Sequence, residues 1–258
     1  MSKLCVFLAI LAVAHAFPAQ TWEQDPEYAG GFFEGDLDLT EDQQKQLFSP
    51  IEGRNGLLNL KRRWPNNTVH FKITEEFDDA HYNHIITGLR IIESISCIRF
   101  LPAQPSTKAY INVTSNNSGC HSKVGFQDNV QQLNFQLYPL DSGCFRIGTI
   151  VHEFLHALGF YHQQSTHDRD DFVKIVAENI EKNKEGNFNI YDKTVVTDFG
   201  IQYDYGSVLH YSQYAFSKNG EKTIVPLFDE GSDIGQRKGL SPKDIYKLNL
   251  MYRCPNMS

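Results

Sequence analysis

The sequence predicts an α+β fold in two unlike halves: a sheet backed by two long helices, then an irregular half closed by one helix. Three observations carry this. Short alternating apolar runs frame a helical period over residues 78–96. A second apolar helical stretch surrounds Phe154, Leu155 and Leu158. Residues 186–206, rich in Asn, Asp, Tyr and Gly, then lose all periodicity before a strong helix start at Ser241.

Taken in order, Val69-His70-Phe71-Lys72-Ile73 alternates and reads as a strand. Asp78 or Asp79 caps a helix running to about Ser96, with Ile85, Leu89 and Ile92 on one face. Residues 97–101, 109–113 and 132–137 read as further strands, the last alternating Leu133, Phe135 and Leu137 with polar neighbours. Asp141-Ser142-Gly143 offers a turn and a cap before the next helix. Ser241-Pro242-Lys243-Asp244 opens the last helix, which runs to about Met251, with Pro and an acid in its first turn.

The chain does not start with this domain. Lys3, an apolar run over residues 4–14 and Ala14-His15-Ala16 read as a secretory signal cleaved after Ala16, so residues 1–16 are a signal peptide. The run falls short of the ~20 residues that a bilayer span needs. No later segment is apolar enough to span, so the product is expected to be secreted and extracellular. Residues 17–54 carry nine acidic and two basic side chains, which accounts for the whole formal charge of −7 and leaves residues 55–258 near neutral. That balance argues against a nucleic-acid partner. Residues 55–258 suffice for one sizeable domain, and with no further interaction module a monomer is expected.

Cys5 leaves with the signal; Cys97, Cys120, Cys144 and Cys254 remain, an even number that predicts two disulfides in an oxidising compartment, with three pairings open. Asn66, Asn112, Asn116 and Asn256 begin Asn-x-Ser/Thr sequons, of which the first three are candidate glycan sites and Asn256 sits too near the end to count.

The chemistry concentrates in residues 152–162, His-Glu-Phe-Leu-His-Ala-Leu-Gly-Phe-Tyr-His. On a helix, His152 and His156 point the same way, and Glu153 stands beside the first. Gly159 lets the backbone leave in a left-handed turn, which can swing His162 back as a third nitrogen. Three neutral imidazoles and one open position hold a catalytic zinc ion. A bare His-Glu-x-x-His also turns up by chance; Gly159 and His162 separate this stretch from such matches. The spacing resembles the metzincin protease signature.

Several further segments resemble the astacin-type zinc metalloproteases, and the resemblance covers nearly all of residues 33–254. They are Tyr203-Asp204-Tyr205-Gly206-Ser207-Val208-Leu209-His210-Tyr211, Asp168-Arg169-Asp170, and Ile234-Gly235-Gln236-Arg237 through Cys254. The resemblance implies a two-lobed metzincin domain. Its upper lobe has a twisted, mostly parallel sheet with the two long helices; its lower lobe is irregular and ends in a helix. It implies the pairings Cys97–Cys254 and Cys120–Cys144, one zinc ion, polypeptide substrates and an activating protease. It makes Tyr211 an oxyanion-stabilising residue. It also makes Phe33-Glu34-Gly35-Asp36 a plug whose Asp36 takes the open metal position in an uncut precursor. By the same resemblance, residues 17–54 are the acidic propeptide and 55–258 the protease domain, with cleavage between Arg54 and Asn55. Lys61-Arg62-Arg63 is a rival tribasic site.

Two residues depart from the family pattern. Leu209 stands where a non-ligand Met is usual, a swap of similar volume that typically costs less than ~1.5 kcal/mol. Gln163 stands where a Glu usually pairs with the new N-terminus, so a neutral amide replaces a charged partner. They raise one alternative, a secreted zinc-binding protein that holds peptides or glycoproteins without cutting them. The persistence of Glu153 and Tyr211 argues against it. Arg237 is a candidate for attracting acidic substrate side chains. The expected reaction is peptide-bond hydrolysis with Glu153 as general base.

Overall fold

The computed structural model describes residues 25–48, 60–191, 197–228 and 233–255. The signal segment 1–16, the Arg54–Asn55 boundary and the Asn256 sequon lie outside them.

Two short helices come first, α1 (Pro26–Ala29) and α2 (Glu41–Phe48). The upper lobe follows: β1 (Thr68–Ile73), α3 (Asp79–Ser94), β2 (Arg99–Pro102), β3 (Tyr110–Thr114), β4 (Cys120–Ser122), β5 (Val130–Phe135) and α4 (Ile147–Ala157). The sheet order is β2-β1-β3-β5-β4; the first four strands run parallel and β4 pairs antiparallel at the edge. The expected, mostly parallel sheet is therefore present.

Alternation explains which face is buried. Val69, Phe71, Ile111, Val113 and Leu133 point inward, where each buried aliphatic or Phe side chain contributes about 1.5–3 kcal/mol. Lys72, Asn112 and Gln132 line up across the opposite, half-wet face. Helix α3 starts at Asp78, whose carboxylate accepts from the His81 N–H at 2.8 Å. It buries Ile85, Leu89 and Ile92. Gly88 lets it approach α4: a Cβ there would lie 2.4 Å from Ile150 Cγ2. Phe154 of α4 packs edge-to-face on Phe100 and at a tilt on Phe135 of the sheet, at 5.6 and 6.2 Å between ring centroids.

Three boundaries differ from expectation. Strand β2 begins at Arg99 rather than 97 because Cys97 is drawn to Cys254, with S–S 2.04 Å. Strand β5 spans Val130–Phe135 rather than 132–137: its pairing with β4 ends at Phe135, and Leu137 is 49% exposed. The expected cap at 141–143 does not start the metal-bearing helix. Those residues lead into a short 3-10 turn, and α4 starts at Ile147, with Arg146 in the capping position but no side-chain cap.

The lower lobe holds a two-stranded sheet, β6 (Val173–Ile175) with β7 (Ile224–Pro226), and otherwise turns. Its own core is largely aromatic: Phe188, Tyr203, Tyr211 and Phe216 pack with Val173, Ile180 and Ile224. Helix α5 (Pro242–Tyr252) closes the chain from a capping box, Ser241 with Asp244. Cys254 ties its end to the start of β2, and Cys120–Cys144 ties β4 to the turn before α4. Closing loops of 157 and 24 residues stabilises the fold by about 5 and about 3 kcal/mol in chain entropy. Among the described residues no helix is long and apolar enough to cross a membrane.

Candidate metal centre

Helix α4 delivers His152 and His156 on one face, with their imidazole centroids 4.5 Å apart, and carries Glu153 next to His152. It then stops in a Schellman motif. The Phe160 N–H donates to Leu155 O at 3.0 Å and the Gly159 N–H to His156 O at 2.8 Å, with Gly159 at φ 108°. Only glycine holds that angle without strain. The reversal brings the His162 ring within 4.7 Å of His156 and 5.4 Å of His152.

Each ring is fixed through its Nδ1. His152 Nδ1 donates to Val208 O at 2.8 Å, and His156 Nδ1 to Phe160 O at 2.7 Å. A carbonyl can only accept, so both Nδ1 atoms carry the hydrogen and both Nε2 atoms present lone pairs. His162 Nδ1 meets Glu34 Oε2 at 2.7 Å. The three Nε2 atoms converge on Asp36. Its Oδ2 lies 3.1 Å from His152 and 3.3 Å from His162, and its Oδ1 lies 3.9 Å from His156. His152 and His156 Nε2 face each other at 2.9 Å. One ligand atom from each of the four residues lies within 4.8 Å of all the others.

Two facing lone pairs beside a carboxylate repel unless a cation lies among them. The unpartnered, buried Asp36 Oδ1 fits this demand. So does His162: burial alone would lower it, yet the Asp36 and Glu34 carboxylates push it up to about 9. Burial and the His152 ring hold His156 well below its ordinary value, in the neutral form that ligates. Three imidazole nitrogens and a carboxylate oxygen suit zinc. Both carboxylate oxygens of Glu153 are buried without a hydrogen-bond partner. Burial, with Asp36 and Glu27 nearby, raises its pKa well above the carboxylate range.

Braces reach the site from the lower lobe. Asp244, the capping acid of α5, accepts from Ser207 Oγ at 2.6 Å and from the Val208 N–H at 2.8 Å, and Val208 O in turn holds His152. Leu209 is buried among the core side chains, its carbonyl accepting from the Gln163 N–H at 3.1 Å. Gln163 Oε1 accepts from Lys247 Nζ at 2.6 Å. The Tyr211 hydroxyl, 4.7 Å ring to ring from His162, donates to Glu34 O at 2.5 Å.

The acidic segment fills the cleft. Phe33 to Leu37 makes a tight turn, with Gly35 at φ 91°. The strand edge holds it: the Ser122 N–H donates to Asp36 O and the Asp38 N–H to Ser122 O, each at 2.9 Å, in parallel pairing. Glu27, fully buried, receives Arg237 Nε at 2.9 Å, Arg146 Nη2 at 3.1 Å and Thr149 Oγ1 at 2.7 Å. Burial opposes ionisation there, but the Arg237 and Arg146 guanidiniums hold Glu27 far below the usual carboxylate range. Asp25 and Arg146 pair in two parallel bonds of 2.9 and 3.1 Å.

The structure thus gathers His152, His156, His162, Asp36, Glu153 and Tyr211 around one point. Arg237, expected to attract acidic side chains, is engaged by Glu27. Asn66 and Asn116 are exposed, and Asn112 is half-buried on the outer sheet face. The rival tribasic stretch is engaged: Arg62 Nη1 donates to Gln127 Oε1 at 2.6 Å. Sequence reasoning missed the acid sockets of Glu27 and Glu34. It counted those residues as bulk negative charge, and only the motif around Asp36 pointed toward Glu34.

Comparison with known proteins agrees with this geometry. The model of the Astacin family (Peptidase family M12A) matches residues 57–253. Seminal metalloprotease 1 of Drosophila melanogaster is 43% identical over 237 residues, covering 90% of this chain and 91% of that protein. Zinc metalloproteinase nas-4 of Caenorhabditis elegans is 33% identical over 235 residues, covering 91% and 73%. Among solved structures, high choriolytic enzyme 1, a hatching enzyme zinc-protease from Oryzias latipes, superposes with a TM-score of 0.67 at 34% identity, covering 74% of this chain and 93% of that one.

Proposed function

Because this chain belongs to the astacin family and is a zinc metalloendopeptidase, we propose that it is a secreted, monomeric enzyme made as a latent precursor, with residues 1–16 as signal, 17–54 as propeptide and 55–258 as protease domain. The observation that carries this reading is the meeting of three imidazole Nε2 atoms with the Asp36 carboxylate beside an unpartnered Glu153. Asp36 belongs to the acidic segment, so the same contact that marks the metal centre also covers it.

His152, His156 and His162 would hold the zinc ion, which would supply the Lewis acidity for activating water and polarising a carbonyl. Glu153 accepts a proton from the attacking water and returns it to the leaving amine. Its raised pKa in the uncut chain reflects burial under neighbouring acids, and departure of Asp36 and Glu27 relieves part of that. The Tyr211 hydroxyl, occupied by Glu34 O in the uncut chain, becomes free to donate to the oxyanion of the tetrahedral intermediate. A polypeptide substrate lies extended along the edge strand β4, with the lower lobe as the opposite wall. An activating protease cuts between Arg54 and Asn55.

Digestion of casein by the processed chain, with and without a zinc chelator, tests the reading; cleavage that ignores the chelator sinks it. Glu153→Ala should keep one zinc per chain and lose roughly 10²–10⁴-fold in rate. Asp36→Ala should let the uncut chain cleave peptides; an uncut variant as silent as wild type removes the plug role.

A further inference from the structure

The three metal-facing histidines are not held alike. Val208 O and Phe160 O, both backbone groups of the protease domain, fix His152 and His156. The partner of His162 Nδ1 is a side chain, Glu34, and it comes from the acidic segment. Glu34 is fully buried. Its second oxygen accepts from Ser165 Oγ at 2.9 Å and from the Tyr191 hydroxyl, and its backbone N–H donates to Asn187 Oδ1 at 3.2 Å. The carboxylate is thus aimed at the imidazole by three groups of the domain.

We propose that Glu34 is a positioning residue for the metal: in the uncut chain it fixes His162 with hydrogen on Nδ1 and the lone pair of Nε2 toward the ion, so the precursor retains zinc more tightly than Asp36 alone accounts for. A carboxylate accepting from the far nitrogen of a ligating imidazole fixes its tautomer and orientation and makes it a better donor. Loss of such a partner commonly costs 10–100-fold in metal affinity. The segment therefore contributes two separate things, a fourth ligand from Asp36 and an orienting partner from Glu34. Both leave when the segment leaves. The processed enzyme holds His162 without a buried carboxylate, and its metal exchanges faster for that reason as well as for the loss of Asp36. This inference rests on the proposed zinc site and on removal of residues 17–54.

The test measures zinc release to a chromogenic chelator from the full uncut chain, in wild type and in an Asp36→Asn background. Glu34→Ala should release zinc at least about tenfold faster than its parent in both backgrounds. Glu34→Gln, which keeps an acceptor but not the charge, should fall between. Ser165→Ala and Tyr191→Phe, which loosen Glu34 but spare its bond to His162, should change the rate far less than Glu34→Ala. The visible absorption of the cobalt-substituted uncut chain should shift with Glu34→Ala, and after processing the variant and wild type should coincide in both rate and spectrum.

Equal release from Glu34→Ala and its parent overturns the proposal. So does an effect that vanishes in the Asp36→Asn background, because Glu34 would then act only by seating the plug. Equivalence of Ser165→Ala with Glu34→Ala overturns it too, since the role would then be anchorage. None of these outcomes touches the zinc-dependent cleavage of casein by the processed chain, which fails on its own terms if the enzyme assignment is wrong.

Discussion

The upper lobe and the acidic segment both press on helix α4, and they do so by opposite means. The upper lobe meets α4 with Phe100 and Phe135 from the sheet and with Gly88 of α3 against Ile150. The segment meets it with carboxylates: Glu27 on Thr149 and Arg146, and Asp36 on His152. Just beyond the helix, Glu34 meets His162. An apolar contact, once opened, exposes surface that water disfavours. A carboxylate leaving an arginine or an imidazole exposes groups that water or a new ligand can satisfy. On the proposed processing, these carboxylate contacts to α4 and His162 are the ones that part, and the aromatic contacts to the sheet stay.

The largest test of that contrast is Glu27→Ala. It leaves Arg237 and Arg146 without their shared buried partner, which should cost about 3–5 kcal/mol in the uncut chain and nothing after processing. Urea unfolding of both forms measures it, and equal losses in the two would break the contrast. Replacing Cys97 and Cys254 together should cost about 2–5 kcal/mol in both forms alike, read as a lowered Tm, because that bond belongs to the part that stays.

Acid should separate the halves further. His121 on β4 stacks under Phe32 of the segment at 3.9 Å, and burial holds its pKa down to about 4 from 6.5, with Asp38 and Asp36 opposing and Lys123 assisting. Above pH 6.5 neither state takes the proton and the contribution is whole. Between 6.5 and about 4 the unfolded chain binds a proton that the folded chain refuses, so stability falls as pH falls. The loss should reach about 3 kcal/mol. A Tm-against-pH series in uncut wild type and His121→Phe should show this slope only in wild type. The smallest effect belongs to Leu209→Met, which should move the stability of either form by less than ~1.5 kcal/mol by calorimetry.

Much of this was legible in the sequence because it depends on spacing. His152 and His156 four apart, Gly159 at the reversal, and the alternation of Val69, Phe71, Ile111, Val113 and Leu133 are local patterns that backbone geometry reads directly. The Ser241–Asp244 cap was equally plain. What the sequence hid depends on long-range pairing. Strand β4 has three residues and no usable period. Strands β6 and β7 are as short, and they pair across some fifty residues. Glu34 reaches His162 across 128 positions, and Glu27 reaches Arg237 across 210. No periodicity carries such a partner. The start of α4 was misread because Asp141-Ser142-Gly143 has every mark of a cap and spends it on a 3-10 turn instead.

The brace from Asp244 through Val208 to His152 has a consequence in time. Synthesis runs from the N-terminal side, so Asp36 and Glu34 emerge before the metal-bearing helix, and Asp244 emerges well after it. The last support of the centre therefore arrives when its cover has long been present. Order of synthesis thus makes Asp36 and Glu34 available to the histidines before the last support of the centre exists.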